Sequence, residues 1–246
     1  GEAASMRPVI FIGCGGSGMS TLRSIHDLLS VSLQDVGAGS KIPDAFQFMV
    51  IDVPNRPQVN LPERIKYIPL AGPLTTWLGP GGVDPTLARH ANKERREDYQ
   101  EWRTDPVGLA PQFEEGAGQF RALGRAVGTR ELSEIGAVFT RFAQVSIQNS
   151  SALVPIAEKF GFDPTREAVG APMVIVISSL GGGAGSGIFL DVCEVIRVKS
   201  QGALAGLQQN LISVLYDPSV FERNGISLQD GGIPGNSYAA VMELVA

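Results

Sequence analysis

The chain has 246 residues, 43% of them apolar and 18% charged, and 20 Lys+Arg against 25 Asp+Glu leave it at −5. This composition excludes a disordered chain, and the acidic balance points away from nucleic acid, whose binders usually carry a basic excess. Apolar runs such as Met173–Ile177 fall far short of the ~18 residues that a membrane span needs. Thirty glycines, about 12% where ~7% is ordinary, form the surplus to be explained. They lack the every-third spacing of collagen. Glycine is entropically costly and must serve some backbone purpose.

Gly1–Ser5 is small and polar and reads as an expression scar before Met6. Cys14 and Cys193, in a chain without a secretory pattern, imply a cytoplasmic protein with reduced thiols. Val9–Ile12 predicts a short buried strand. It runs into Gly13-Cys14-Gly15-Gly16-Ser17-Gly18 and then a helix over Met19–Ser32, where Leu22, Ile25 and Leu28/Leu29 repeat at helical spacing. Phe46–Ile51 predicts a second strand, ending at Asp52-Val53-Pro54, and Ile65–Leu70 a third. Gly72–Pro85 reads as loop. Arg89–Arg103 is a mixed-charge stretch of small net charge and reads as a solvated helix face. Pro111–Gly118 is again loop.

Leu132, Ile135, Val138/Phe139, Phe142 and Val145 mark a long helix, broken by Pro155 and by Gly161 to Pro164. Met173–Ile177 predicts a strand buried on both faces. It leads into Gly181-Gly182-Gly183-Ala184-Gly185-Ser186-Gly187 and a helix over Ile188–Val198. Leu211–Leu215 is a further strand, followed by a polar, glycine-rich stretch to Gly235. A final helix starts at Asn236 or Ser237. Val241–Ala246 reads as the middle of an apolar helix with no stop signal, so the expectation is a nucleotide-binding domain over 6–246 cut near its central helix. Strands alternating with helices imply an α/β fold: a Rossmann-like, mostly parallel sheet with helices on both faces. Ligands of such sheets bind at the carboxyl ends of the strands, where both glycine clusters fall.

A glycine turn opening a helix lets backbone approach a ligand and aims N–H groups at an anion. No lysine lies in or just after either cluster, which excludes the Walker pattern. Gly13 to Gly18 satisfies G-x-G-x-x-G, the dinucleotide fingerprint, with Asp52 ending the next strand; Asp52 lies 34 residues past Gly18, where ~20 is typical. The hydrolase elbow G-x-S-x-G fails at both Ser17 and Ser186. Tight turns that pack helix on strand are the plain alternative.

The second cluster resembles the phosphate loop G-G-G-[TS]-G-[TS]-G of the tubulin/FtsZ superfamily, with Ala184 at the first hydroxyl position and Ser186 at the second. The resemblance continues in order along residues 7–246. Gly13–Gly18 is similar to the family's first glycine loop, Cys14 included. Ile51-Asp52-Val53-Pro54 resembles its second loop, and Gly116-Ala117-Gly118-Gln119 the G-A-G element before its third helix. Pro218 to Arg223 resembles the segment that reaches the ribose, and Asn236 stands where the family reads guanine. The inserts point to a divergent bacterial tubulin-like protein.

The resemblance implies GTP or GDP with Mg²⁺. Gly181–Ser186 would hold the α/β-phosphates, with the Ser186 hydroxyl as a donor. Gly15, Gly16, Ser17 and Gly18 would cradle the β-phosphate, and Gly116–Gly118 would close over the γ-phosphate. Asp52 would hold Mg²⁺ through water, or else cap a turn. Glu222 would bond the ribose, or else be a solvated charge. Asn236 would pair with guanine, or else cap a helix. The chain departs from the family at Pro54, where tubulin has a glutamate, and at Ser20, where FtsZ has a guanine-contacting asparagine. The family's catalytic carboxylates lie on a loop beyond the central helix and complete the neighbouring subunit's site, so no catalytic residue is expected here and hydrolysis by this chain alone should be low. The function implied is a guanine-nucleotide-binding protein, a GTPase in its assembled form, that self-associates head to tail into a filament. A degenerate, non-hydrolysing scaffold and a Rossmann NAD(P) oxidoreductase are the alternatives.

Overall fold

Five apolar runs become the strands of one sheet in the computed structural model, which describes residues 6–71, 82–89, 92–103, 113, 116–162, 172–223, 225–228 and 232–245. The strands are β1 (Val9–Cys14), β2 (Phe46–Asp52), β3 (Ile65–Pro69), β4 (Met173–Ser179) and β5 (Leu211–Tyr216). They are all parallel, in the order β3-β2-β1-β4-β5. This is the Rossmann-like arrangement expected from the alternation of strands and helices. The expression scar, most of the Gly72–Pro85 loop, Pro111, Pro164 and Ala246 lie outside the described residues.

Alternation along each strand sorts the core into two faces. On one face Phe46, Phe48 and Val50 of β2 and Ile177 of β4 pack with Met19, Leu22 and Leu33 of α1 (Gly15–Asp35). On the other, Ile10, Ile12, Met49, Ile51, Val174 and Val176 pack under α4 (Arg121–Gln148) and α6 (Gly183–Lys199). β1 and β4, at the centre, are therefore apolar on both sides. β5 is an edge, with Ile212 and Val214 exposed. Between β3 and α4 lie α2 (Val83–Ala88) and α3 (Lys93–Trp102). The short helices α5 (Val154–Lys159) and α7 (Ser219–Arg223) and the last helix α8 (Ile233–Val245) complete the set, with a 3₁₀ run over Gly202–Asn210.

Four helix starts differ from the sequence expectation, one of them α8, which begins at Ile233 rather than at Asn236 or Ser237. α1 and α6 begin inside their glycine clusters, at Gly15 and Gly183, rather than after them. α4 begins at Arg121, well before the apolar stripe at Leu132. The stripe is hidden because its first turns bury glycines: Gly124 and Gly128 are both buried. A Cβ at Gly124 would meet the Gly183 carbonyl, and one at Gly128 the Ile188 side chain. In return, a Cβ on Gly187 of α6 would meet the Arg121 carbonyl and, at 2.8 Å, the Arg125 nitrogen. Backbone packs on backbone here, so α4 can press directly on the start of α6.

The Arg89–Arg103 expectation also needs correcting. The described part of α3 is solvated on one side only. Tyr99 is 2% exposed and its hydroxyl donates to Asp84. Arg103 donates to both carboxylate oxygens of that residue at 2.6 and 2.7 Å, and these bonds hold Asp84 below the usual carboxylate range against its burial.

The α4–α6 contact predicts a contrast between two alanine substitutions. Gly124→Ala meets fixed backbone and lowers stability by about 1–3 kcal/mol, more than its gain in helix propensity. Gly136→Ala first meets the flexible end of Lys199 and stays within ~1 kcal/mol of wild type. Urea unfolding of both variants measures the difference, and equal midpoints would contradict this account of the packing.

Candidate functional site

All three glycine segments named from the sequence end at the carboxyl edge of the sheet. Gly13–Gly18 links β1 to α1, Gly181–Gly187 links β4 to α6, and Gly116–Gly118 precedes α4. They share one cleft of about 660 Å³. Its lining includes Gly15, Gly16 and Ser17 from the first segment and Ser20 just after it. Gly116, Ala117 and Gly118 come from the second, and Gly182, Gly183, Ala184 and Gly185 from the third. Asp52, at the end of β2, closes one side. A dinucleotide site would use the first segment alone; here it is fused with the other two.

The segments hold each other at backbone distance. Gly15 has φ +71, and a Cβ there would lie 2.7 Å from the Gly185 nitrogen. A Cβ at Gly183 would lie 2.6 Å from the Gly118 carbonyl oxygen, the same oxygen that accepts the Gly183 N–H at 3.0 Å. Most of these glycines are thus required by the protein itself. Gly13 and Gly18 face each other and not the cleft: a Cβ on Gly13 would lie 2.6 Å from the Gly18 oxygen. Gly181 packs on Ile233 and Phe221. Gly16 is the contrast, with nothing within 4 Å of its Cβ position.

Two helices point their N-termini at the cleft. The first-turn amides of α1 and α6 have no intrahelical carbonyl to bond. Neither first turn carries an acidic residue, and neither N-cap, Cys14 or Gly182, makes a side-chain capping bond. Among the described lining residues none is Lys or Arg, and Asp52 is the only carboxylate. The positive ends of two helix dipoles, each about +0.5 charge, are therefore the main attraction for an anion. The glycine cradle and its open amides fit a polyphosphate, and Asp52 supplies the oxygen chemistry a magnesium ion prefers.

Several expected residues sit behind the lining. Cys14 is fully buried and free of disulfide, and burial pushes its thiol well above the ordinary value. Its carbonyl, not its side chain, approaches Gly185. The Ser186 hydroxyl is no open donor: it bonds back to the Gly182 carbonyl one turn earlier, and the residue is fully buried. Asn236 lies outside the lining, with its amide bonded to the Gln119 carbonyl at 2.6 Å and the Gly181 carbonyl at 3.0 Å. Pro218 and the exposed Glu222 also lie outside it, beside lining residues Val220 and Phe221.

Thr21, Gln58, Ser179, Tyr216 and Ile226 line the cleft without having been expected there, while Val220 and Phe221 fall within the expected Pro218 to Arg223 segment. Thr21 lies one turn after Ser17 and donates to its carbonyl at 2.9 Å; its hydroxyl also meets the Tyr216 hydroxyl at 3.1 Å. The helical offset from Ser17 and the place of Tyr216 at the end of β5 were the available signals. Pro54, also in the lining, accepts the Tyr67 hydroxyl at 2.7 Å through its carbonyl.

Asp52 is 5% exposed. Burial lifts its carboxyl from 3.8 to about 6, opposed by one bond from the Val53 N–H at 2.8 Å. The folded state thus holds the proton more tightly than the unfolded chain. Ionised Asp52 costs stability above pH ~6, and the cost fades as pH falls toward 4. Asp52→Asn, which keeps the acceptor for Val53, is therefore more stable than wild type by about 1–3 kcal/mol at pH 7.5 in the absence of ligand. The gain disappears near pH 4. Denaturant midpoints at the two pH values check this, and a gain independent of pH would contradict it.

No helix among the described residues is long and apolar enough to cross a membrane. No curated protein matches the chain. Among solved structures, CetZ2 from Haloferax volcanii, in a GTPγS-bound protofilament, is similar at 17% identity and a TM-score of 0.39, over 96% of this chain and 56% of that one. The chain therefore spans little more than half the length of that structure. The profile of the family described as "Tubulin like" matches residues 10–246, nearly the whole sequence, and the chain belongs to that tubulin-like family.

Proposed function

We propose that this chain is the nucleotide-binding part of a cytoplasmic tubulin-like protein that binds GTP or GDP in the glycine-lined cleft and self-associates head to tail with the nucleotide at the subunit interface. The observation that carries the reading is the meeting of two helix N-termini without side-chain caps at a cleft whose described lining residues offer backbone amides and no cationic side chain. Gly15, Gly16 and Ser17 on one side and Ala184 and Gly185 on the other would hold the phosphates through N–H groups, since the Gly182 and Gly183 N–H groups donate to the Ser179 hydroxyl and the Gly118 carbonyl. Charge-assisted bonds of this kind contribute roughly 1.5–3 kcal/mol each. Gly116–Gly118 would cover the terminal phosphate, and Asp52 would hold Mg²⁺ through water. A bound Mg²⁺ would supply charge neutralisation for phosphoryl chemistry. The exposed apolar side chains of β5 and of α8, among them Ile212, Val214, Val241 and Met242, support a role within a larger assembly. The second reading is a scaffold that keeps the fold and binds nucleotide poorly; Pro54 in the lining and the engaged Ser186 hydroxyl favour it.

Gly16 gives the cleanest test, because a side chain there enters open space at the cleft wall. Gly16→Leu should keep its unfolding midpoint within ~0.5 kcal/mol of wild type. It should lose at least tenfold in GTP and GDP affinity by calorimetry with Mg²⁺. Equal affinity of wild type and variant would place the nucleotide elsewhere, and a wild type that prefers ATP would remove the guanine assignment. Light scattering of the full-length protein separates the two readings: a rise on adding GTP supports the assembling GTPase, and a flat trace supports the scaffold.

A further inference from the structure

Asn236 stands on the first turns of α8, outside the cleft lining, yet its carboxamide touches both loops of one cleft wall. Its Nδ2 donates to the carbonyl of Gln119, the residue after Gly116–Gly118, at 2.6 Å. It also donates to the carbonyl of Gly181, the first residue of the second glycine cluster, at 3.0 Å. Both partners are carbonyl oxygens, so only the NH₂ end of the amide satisfies them. Both of its hydrogens are then engaged. The same two loops are joined at one further point, where the Gly183 N–H donates to the Gly118 carbonyl at 3.0 Å.

α8 is fixed firmly enough to hold that amide in place. Its Ala240 is fully buried. Two turns beyond Asn236, Glu243 accepts from Arg121 Nη1 at 2.7 Å, and Arg121 Nε donates to the Ser186 carbonyl at 2.9 Å. The helix is thus tied to the phosphate-loop helix at one end and to both loops at the other.

We infer that Asn236 is a positioning residue that clamps the 116–118 loop against the 181–187 loop, and that it does not read the base. Pairing with a guanine edge needs the amide to donate at one end and accept at the other, and its donors are already engaged within the protein. For its ligand this inference rests on the nucleotide reading of the cleft; for its geometry it does not.

The test combines loop dynamics with base selectivity. Hydrogen exchange of ligand-free wild type and Asn236→Ala is followed at the Gly183 and Phe120 amides, both of which bond within the two loops. Exchange there should quicken at least tenfold in the variant while the amides of β1 and β4 keep their protection. If Asn236→Ala loses that strand protection too, Asn236→Ser, which retains one donor, serves for the same reading. Affinities for GTP and ATP with Mg²⁺ should both fall at least tenfold in Asn236→Ala, their ratio staying within twofold of wild type. Asn236→Asp should fall further for both, because its carboxylate would face two carbonyl oxygens. Unchanged loop exchange would overturn the clamp. So would a variant pair in which Ala weakens GTP alone and Asp retains it, since a carboxylate accepts guanine N–H groups as well as an amide oxygen does. A wild type that binds neither nucleotide, together with loosened loops in the alanine variant, would remove the nucleotide reading and still support the clamp.

Discussion

Everything in this fold turns on one constraint: two helices must begin within backbone contact of each other at the edge of one sheet. β1 and β4 are neighbours in the sheet, so the helices that follow them start side by side. Side chains at their first residues would force them apart. Gly15 against Gly185, and Gly183 against Gly118, let the backbones meet, and the meeting brings two dipole ends and their open amides to one cleft. The electrostatics of the site are a by-product of packing that only glycine permits. This is also how the cleft would attract an anion with no lysine or arginine among its described lining residues.

The same constraint propagates outward. α4 has to lie low on the start of α6 so that Gly116–Gly118 can reach the Gly181–Gly187 segment. It does so by presenting Gly124 and Gly128 to α6, while α6 presents Gly187 in return. Arg121, at the head of α4, then links the Ser186 carbonyl to Glu243 of α8. Asn236 links α8 back to both loops. The cleft is in this way braced from behind by side chains that do not line it, while glycines of all three segments form part of its inner surface.

Much of this was legible in the sequence. Runs such as Met173–Ile177 and Phe46–Ile51 are apolar and β-branched or aromatic, and they became central strands because a doubly covered sheet demands apolar residues on both faces. The glycine clusters were legible as loops at strand ends, and the order of motifs pointed to the tubulin-like family. The helix starts were not legible. Glycine costs about 1 kcal/mol relative to alanine in a helix, so Gly183–Gly187 reads as loop, and only the tertiary contact reverses that preference. The first turns of α4 were hidden for the same reason, because a buried glycine adds nothing to an apolar stripe. Tyr99 was masked by the charged residues around it. The inward bonds of Ser186 and Asn236 could not be read either: a polar side chain facing the protein has the same letter as one facing a ligand.

The central claim is that backbone amides at the junction of the three glycine segments hold a guanine nucleotide. Chromatography of the small molecules released when the protein, purified from cells without added nucleotide, is denatured tests it most directly. The account predicts GTP or GDP in the released fraction at a level approaching one per chain. Released NAD(P) would contradict it, as would an empty fraction combined with no calorimetric binding of GTP at millimolar concentration.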